Sequence, residues 1–314
     1  MNIGQEAIKV IEDTGPNNVA AITNDNAEAE TISWDTIRDE FPHVLCIGCT
    51  THAGALLFKD VCDHPWAIKI IERSTKLAKF FKHHAFTNTE IRRRTKEAHN
   101  QEYAVIIHGA TRFAGIYYTV KRLLFLKNIM REIAVSDGFE ERNYKDAGDI
   151  IAILNDTNYW RDAGKWRLFL KPNKCFIKLT DHDCHTTHHQ YPGMFTLNEQ
   201  WVANEAGVPS SFKTHALRKH KSRWEWMTFP VHYVTYALAP DYHDGNVFGN
   251  IKVMKGFKEI AKFFAPTAAD YQTVLREFAN YKNHHDDDVY ITDDNGNIVT
   301  GMNPKAWWQL HGAT

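Results

Sequence analysis

One aspartate is well placed for acid or metal chemistry because it follows a predicted strand. Residues 19–23 form a continuous apolar stretch, which predicts a strand buried on both faces and therefore parallel to its neighbour. Asp25 comes directly after it, where open α/β sheets carry catalytic and metal-binding groups. A carboxylate there can hold a divalent cation, but the run Asn24-Asp25-Asn26 can also turn the chain and cap the next helix, which is the commoner role.

Three other groups of residues have metal-ligand chemistry. Cys46, Cys49 and His52 are spaced like half of a zinc site, but the sequence has no second Cys-x-x-Cys pair. Residues 181–189 combine histidines, aspartates and Cys184, yet nothing in the sequence fixes their geometry. The acidic residues within 286–294 lack the spacing of a calcium loop. We favour buried structural residues, a solvated loop and a charged hairpin, so no metal site is predicted.

Two basic stretches could bind phosphate groups. The predicted nucleic-acid-binding residues are Arg92, Arg93, Arg94 and Lys96 in the first stretch, and Lys219, Lys221 and Arg223 in the second. Trp224 and Trp226 follow the second stretch and could stack on bases. A solvated helix face accounts for either stretch equally well, so both interpretations stay open.

The secondary structure that positions these residues is predicted to be α/β at the start of the chain and mainly helical after it. Strand, helix, strand and helix are predicted at 19–23, 27–41, 44–47 and 51–61, an α/β order. Amphipathic stretches then predict helices at 66–83, 112–134, 146–154, 159–179, 196–206, 224–238, 254–264 and 269–281. Near the end, Asn295-Gly296 between apolar runs predicts a hairpin. The predicted fold class is α-rich α+β.

Composition excludes several classes of protein. The 314 residues have 37 basic and 38 acidic side chains, a net charge of −1, which excludes a globally basic nucleic-acid binder. A hydrophobic content of 43% excludes a mainly disordered chain. Five cysteines indicate a reducing compartment. No signal peptide or membrane-spanning run is recognisable, so we expect a soluble nuclear or cytoplasmic protein with no membrane partner.

Taken in order, five motifs resemble the hAT superfamily of transposases, in the branch with a domain of unknown function found in plant and oomycete proteins. They are the strand that ends in Asp25-Asn26-Ala27, Phe41-Pro42 followed by Cys49 and His52, Lys59-Asp60-Val61 with Pro65-Trp66, Thr111-Arg112-Phe113, and Pro304 with Trp307-Trp308 and Gly312. Each motif is weak alone. Their order across most of the chain carries the resemblance.

The resemblance implies an RNase H-like core interrupted by a helical insertion domain, acting in cut-and-paste DNA transposition. Such enzymes hold two divalent metal ions, normally Mg²⁺, with three acidic residues. Asp25 matches the second acid, whereas the first and third would lie before and after this chain. Two departures from the family pattern are Asn24, an extra residue before Asp25, and Phe113 in place of tryptophan.

The domains expected from the resemblance are a partial RNase H-like α/β segment at 1–64, a helical insertion domain at 65–284, and a hairpin with a terminal Trp-Trp helix at 285–314. We expect a catalytically incomplete, truncated protein without a cofactor, whose residual activity is DNA binding without sequence preference. Two alternatives stay open. The chain could be part of an active transposase, or a module for protein interaction that forms homo-oligomers.

Overall fold

A computed structural model describes residues 3–25, 27–109, 114–181, 186–239, 242 and 247–283. The elements in these ranges are α1 (Ile3–Thr14), β1 (Ala21–Asn24), α2 (Glu28–Glu40), β2 (Leu45–Gly48), α3 (Thr50–Cys62), α4 (Pro65–His83), α5 (Ala85–His99), α6 (Gly115–Ala134), α7 (Asp137–Glu140), α8 (Ala147–Asn155), α9 (Thr157–Thr180), α10 (Gln190–Ala203), α11 (Ser210–Met227), α12 (Pro230–Ala237), α13 (Ile251–Phe264) and α14 (Ala268–Asn283). The fold is therefore helix-rich with a small parallel sheet, which confirms the predicted class in this coarse form.

The two strands pair in parallel, as predicted. The register runs from Ala21 opposite Leu45 to Asn24 opposite Gly48, with α2 as the connection between the strands. The expectation that the first strand is buried on both faces is wrong, because exposed and half-buried residues alternate along β1. Three of the four residues of β2 are buried. An apolar run thus predicted the strand correctly, but only β2 has the burial expected of a central strand.

The residues group into two compact units. The first comprises Met1–His52, Leu179–Phe195 and Glu225–Thr314, and the second comprises Ala53–Lys178 and Thr196–Trp224. The domain boundaries implied by the family resemblance, at 64 and 284, stay a prediction.

In the first unit, a core forms around α1, α2 and the strands. Its buried members are Ile11, Trp34, Ile37, Phe41, Val44 and Cys46. The indole Nε1 of Trp34 donates a hydrogen bond to Oδ1 of Asn24 at 3.2 Å, and its ring meets Phe229 edge to face at 6.0 Å between centroids. These contacts hold the end of β1 in place, immediately before Asp25.

In the second unit, α3 and α9 approach each other closely. A Cβ atom at Gly54 would lie 2.9 Å from the ring of Phe176, closer than packed side chains tolerate. The Nδ2 group of buried Asn173 donates to the Gly54 carbonyl oxygen at 3.3 Å. Glycine at this position therefore permits the packing of the two helices.

Several helices agree with the periodicity of the sequence, and one prediction is wrong. Pro65 begins α4, whose buried face includes Ala67, Ile70 and Leu77 as predicted. The helix predicted at 224–238 is interrupted, because α11 ends at Met227 and Pro230 begins α12. Proline is well accommodated in the first turn of a helix, where its missing N–H removes no intrahelical hydrogen bond.

Other helices were not predicted, and some predictions cannot be compared. The α5 helix and most of α11 contain the basic stretches and lack a clear apolar stripe in sequence. The predicted hairpin at 289–300 and the terminal Trp-Trp helix lie outside the described residues. Among the helices that the structure describes, none is long and apolar enough to cross a membrane.

Candidate nucleic-acid interface

Asp25 lies at the carboxyl edge of the two-stranded sheet. It is exposed, and its Oδ1 accepts a hydrogen bond from the backbone N–H of Ala27 at 2.9 Å. Ala27 directly precedes α2, so this bond turns the chain into the helix. The turn expected for Asp25 is therefore present, but the expected cap is not, because Ala27 is the N-cap residue of α2 and no side chain caps the helix. Its match to a transposase acid stays a prediction.

Cys49 reaches the same edge of the sheet. Its backbone N–H donates to the Asn24 carbonyl oxygen at 2.8 Å, which extends the pairing of the strands by one residue. Cys49 and Asp25 therefore leave the sheet side by side. His52 follows in the first turn of α3. Asp25, Cys49 and His52 are therefore the predicted motif residues that the fold brings together.

The cysteine within β2, Cys46, is buried in the core of the first unit. Burial raises the pKa of the Cys46 thiol, and the negative charge of Asp35 adds to that effect against the opposing influence of Arg38. Among the residues that the structure describes, no three His, Cys, Asp or Glu side chains are grouped so that they could hold a metal ion.

Several predicted site residues have no described position. Residues 182–185 of the histidine-rich segment lie outside the described ranges. The same holds for the motif residues Thr111, Arg112, Phe113, Trp307 and Trp308. Their expected roles stay predictions.

The first basic stretch forms part of α5, where acidic side chains surround it. Arg93 pairs with Glu90 at 2.8 Å and with Glu97 at 2.6 Å. Hydrogen bonds from Arg93, and to a lesser extent Arg94, lower the pKa of Glu90 to about 2 against the opposing effect of burial. Arg93 is therefore held along its own helix by two carboxylates.

Two further residues of this stretch also have acidic partners. Arg94 binds Glu90 at 3.0 Å and Glu132 of α6 at 3.3 Å, and Lys96 lies 3.5 Å from Glu102. Arg92 is exposed. Consecutive helical residues are about 100° apart around the axis, so the three arginines point in different directions. Much of the charge of this stretch is neutralised within the fold.

The second basic stretch lies on α11. This helix has five basic residues and one acidic residue. Lys221 and Arg218 are exposed, and Lys219 is half-buried. Arg223 has a structural contact, because its Nε atom donates to Oδ2 of Asp60 on α3 at 2.6 Å with both side chains mostly buried.

A third concentration of positive charge was not predicted. The α9 helix has six basic residues and one acidic residue, more positive charge than either predicted stretch. The basic residues are Arg161, Lys165, Arg167, Lys171, Lys174 and Lys178. They escaped notice because no two of them are adjacent in sequence. Their spacing of two to four residues was the signal that could have revealed them.

Comparisons of the chain with models of known protein families and with curated proteins find no match. A functional interpretation therefore depends on the geometry of the strand edge and on the distribution of charge over the helices.

Proposed function

We propose that this chain derives from a hAT-superfamily transposase and binds DNA without sequence preference. In this proposal, β1, α2, β2 and α3 are a retained part of an RNase H-like core. The parallel pairing of the strands supports the ancestry, since it brings Asp25 and Cys49 to one edge. The observation that carries the activity is the excess of basic residues on α11, five against one, in a chain of net charge −1.

DNA binding, and not DNA cleavage, is the activity proposed for this chain. A two-metal site of the transposase kind needs three carboxylates, and the resemblance assigns only Asp25 to it. At the described sheet edge, Asp25 is accompanied by Cys49 and His52, which are not the hard oxygen ligands that Mg²⁺ prefers. The residues present do not fit that metal pair.

Fluorescence anisotropy of the full chain with a labelled random duplex tests the proposal. The logarithm of the affinity falls by about 0.9 per phosphate contact for each tenfold increase in salt. Three or more contacts therefore predict a loss of at least about 40-fold between about 50 and about 200 mM salt. Absence of binding at the lowest salt would refute the proposal.

A pair of variants assigns the contribution of α11. Substituting Arg218→Gln and Lys219→Gln removes two cations from this helix and should weaken binding. The matched control is Arg93→Gln with Arg94→Gln, which removes two cations that already bind acidic side chains. We expect the control to lose less affinity.

A strand-transfer assay with Mg²⁺ and pre-cut duplex ends completes the test. The proposal predicts that the chain alone joins no ends to a target. Joined products would instead support the alternative that the chain belongs to an active transposase.

A further inference from the structure

The basic residues of α9 are arranged along an exposed stripe. Lys171, Lys174 and Lys178 are separated by three and four residues, so they share one face of the helix. Lys171 and Lys178 are exposed and Lys174 is half-buried. Arg167, which is half-buried, lies on the same face four residues before Lys171, so the stripe from 167 to 178 spans about 16 Å, the length of about five nucleotides of one DNA strand.

Lys171, Lys174 and Lys178 differ from the cations of α5 in that none of them forms an ion pair with a carboxylate among the described residues. The only ion pair of α9 within the described part of the chain joins Arg161 to Asp162 at 3.1 Å. Asp162 also accepts a hydrogen bond from the Trp66 indole at 3.3 Å. The charges of Lys171 and Lys178 are therefore exposed to solvent, and no carboxylate in the described ranges neutralises them.

The neighbouring helix α6 extends this positive surface. The Nζ atom of Lys174 lies 5.6 Å from the centroid of the Tyr118 ring, and Nζ of Lys127 lies 5.4 Å from that of Trp160. An early residue of α6 thus meets a late residue of α9, so the helices run antiparallel. Lys121 is exposed one turn after Tyr118, at the level of Lys171.

The two helices together are strongly basic. Four basic residues on α6 and six on α9 make ten, against two acidic residues, Glu132 and Asp162. Both acids already bind arginine, since Glu132 pairs with Arg94 and Asp162 with Arg161. The net charge of the pair is 10 − 2 = +8 in a chain whose total is −1. Such a concentration of positive charge attracts polyanions.

We infer that duplex DNA binds on an α6–α9 surface formed by Tyr118, Lys121, Lys171, Lys174 and Lys178. The lysines contact the phosphates, and the exposed ring of Tyr118 packs against the sugar-phosphate backbone. This inference rests on the proposed function and names the surface that contributes most to it. The sequence prediction had assigned DNA binding to α5 and α11.

A nucleic acid fits this surface better than a membrane does. Interfacial helices insert a broad apolar face beneath the headgroups. Leu168 and Leu179 are the exposed large apolar side chains among the described residues of α9, at 49% and 42%, and they lie about 16 Å apart along the helix. A line of lysines with so little apolar area can neutralise phosphates but gains little from hydrocarbon.

A matched pair of triple variants tests the inference in the full chain. Lys171→Gln, Lys174→Gln and Lys178→Gln remove three charges from α9, and Arg92→Gln, Arg93→Gln and Lys96→Gln remove three from α5. For the α9 variant, we expect binding at about 50 mM salt to weaken at least about tenfold and the salt slope to shrink by about 2.7. For the α5 variant, we expect a change of no more than about threefold. Circular dichroism verifies that both variants are folded.

An exposed thiol gives a second readout. Cys175 lies between Lys174 and Lys178 and is exposed, whereas Cys46 is buried. Bound duplex should therefore slow the alkylation of Cys175 by iodoacetamide, measured peptide by peptide with mass spectrometry. Heparin, a polyanion without bases, should protect the same thiol if phosphate-like charge is what the surface recognises.

Each outcome has a separate meaning. Absence of wild-type binding overturns both the inference and the proposed function. Salt-dependent binding that both triple variants retain equally, with Cys175 unprotected, overturns only the inference and leaves DNA binding to other residues. Binding to phosphatidylserine vesicles without binding to duplex would overturn it as well, because the surface would then recognise a membrane.

Discussion

Helices α5 and α9 are both rich in basic residues, but the fold neutralises much of the charge on α5 and leaves charge on α9 exposed. On α5 the arginines are consecutive, so they fan out around the helix and meet Glu90, Glu97 and Glu132. On α9, Lys171, Lys174 and Lys178 share one face, and none of them has an ion-pair partner in the part of the chain that the structure describes. The difference shows that the spacing of basic residues and the position of nearby acids decide whether charge reaches a ligand.

The largest expected effect comes from reversing charge on α9. Lys171→Glu with Lys174→Glu adds repulsion to the loss of two contacts, and we expect duplex affinity at about 50 mM salt to fall about 100-fold or more. Arg92→Glu with Lys96→Glu on α5 makes the same change of charge and should cost about tenfold or less. Anisotropy titrations measure both. Equal losses of affinity in the two variants would contradict the proposed difference between α5 and α9.

The next effect concerns stability and separates Arg223 from its neighbours on α11. Arg223→Gln leaves the mostly buried Asp60 without its guanidinium partner, so the free energy of unfolding should fall by about 2 kcal/mol. Arg218→Gln, at an exposed site of the same helix, should cost less than about 0.5 kcal/mol. Urea denaturation measures the two values. If the Arg223→Gln variant is as stable as wild type but its DNA affinity depends less steeply on salt, Arg223 contacts DNA and does not stabilise the fold.

Removing an acid should move α5 toward the behaviour of α9. Glu90→Gln breaks hydrogen bonds from Arg93 and Arg94 at a carboxylate whose side chain is only 16% exposed, and should cost about 1 to 2 kcal/mol at neutral pH. The released arginines should also strengthen duplex binding by about twofold to fivefold. Glu97→Gln, at a more exposed site with one arginine partner, is the matched control.

The pH dependence of the same variant follows from the pKa of Glu90. Its pKa in the folded chain is about 2, below the ordinary 4.5, so ionised Glu90 stabilises the fold above pH 4.5. That contribution is lost as the pH falls from 4.5 toward about 2. The difference in unfolding free energy between wild type and Glu90→Gln should therefore shrink between neutral pH and pH 3. A constant difference would contradict the role assigned to this carboxylate.

The smallest effect is expected at an exposed pair. Lys96 and Glu102 lie 3.5 Å apart with side chains 67% and 51% exposed, so Lys96→Gln should change the unfolding free energy by less than about 0.5 kcal/mol. Thermal unfolding at low and high salt measures it. A larger effect that disappears at high salt would indicate that even the exposed acidic partners on α5 compete with DNA for the basic residues of this helix.

Much of the fold could be predicted because its signals are local. The parallel strands follow from two apolar runs separated by a helix, and α4 follows from Pro65 and the regular spacing of Ala67, Ile70 and Leu77. The exposure of β1 could not be predicted, because burial depends on what packs against a strand. The break before α12 was readable in principle, since proline disfavours a helical conformation in the residue before it.

The candidate site was less predictable, for a different reason. The sequence brought attention to Arg92-Arg93-Arg94 because the residues are adjacent, yet Arg94 meets Glu132, which lies 38 residues further along the chain. Such a partner becomes visible only when α5 packs against α6. The stripe on α9 was accessible to sequence reasoning, but only by testing helical spacing in a segment without a basic run.

The close approach of α3 and α9 at Gly54 has a consequence for how this sequence can change over generations. A side chain at position 54 would collide with the ring of Phe176, so the fold itself requires glycine there, whatever the protein binds. Lys171 and Lys178 of α9 are exposed, so the packing of the fold does not require lysine at these positions. A lineage that no longer needed to hold DNA would lose these lysines by drift while keeping Gly54. If a lineage keeps both Gly54 and these lysines, the positive charge of the lysines is under selection.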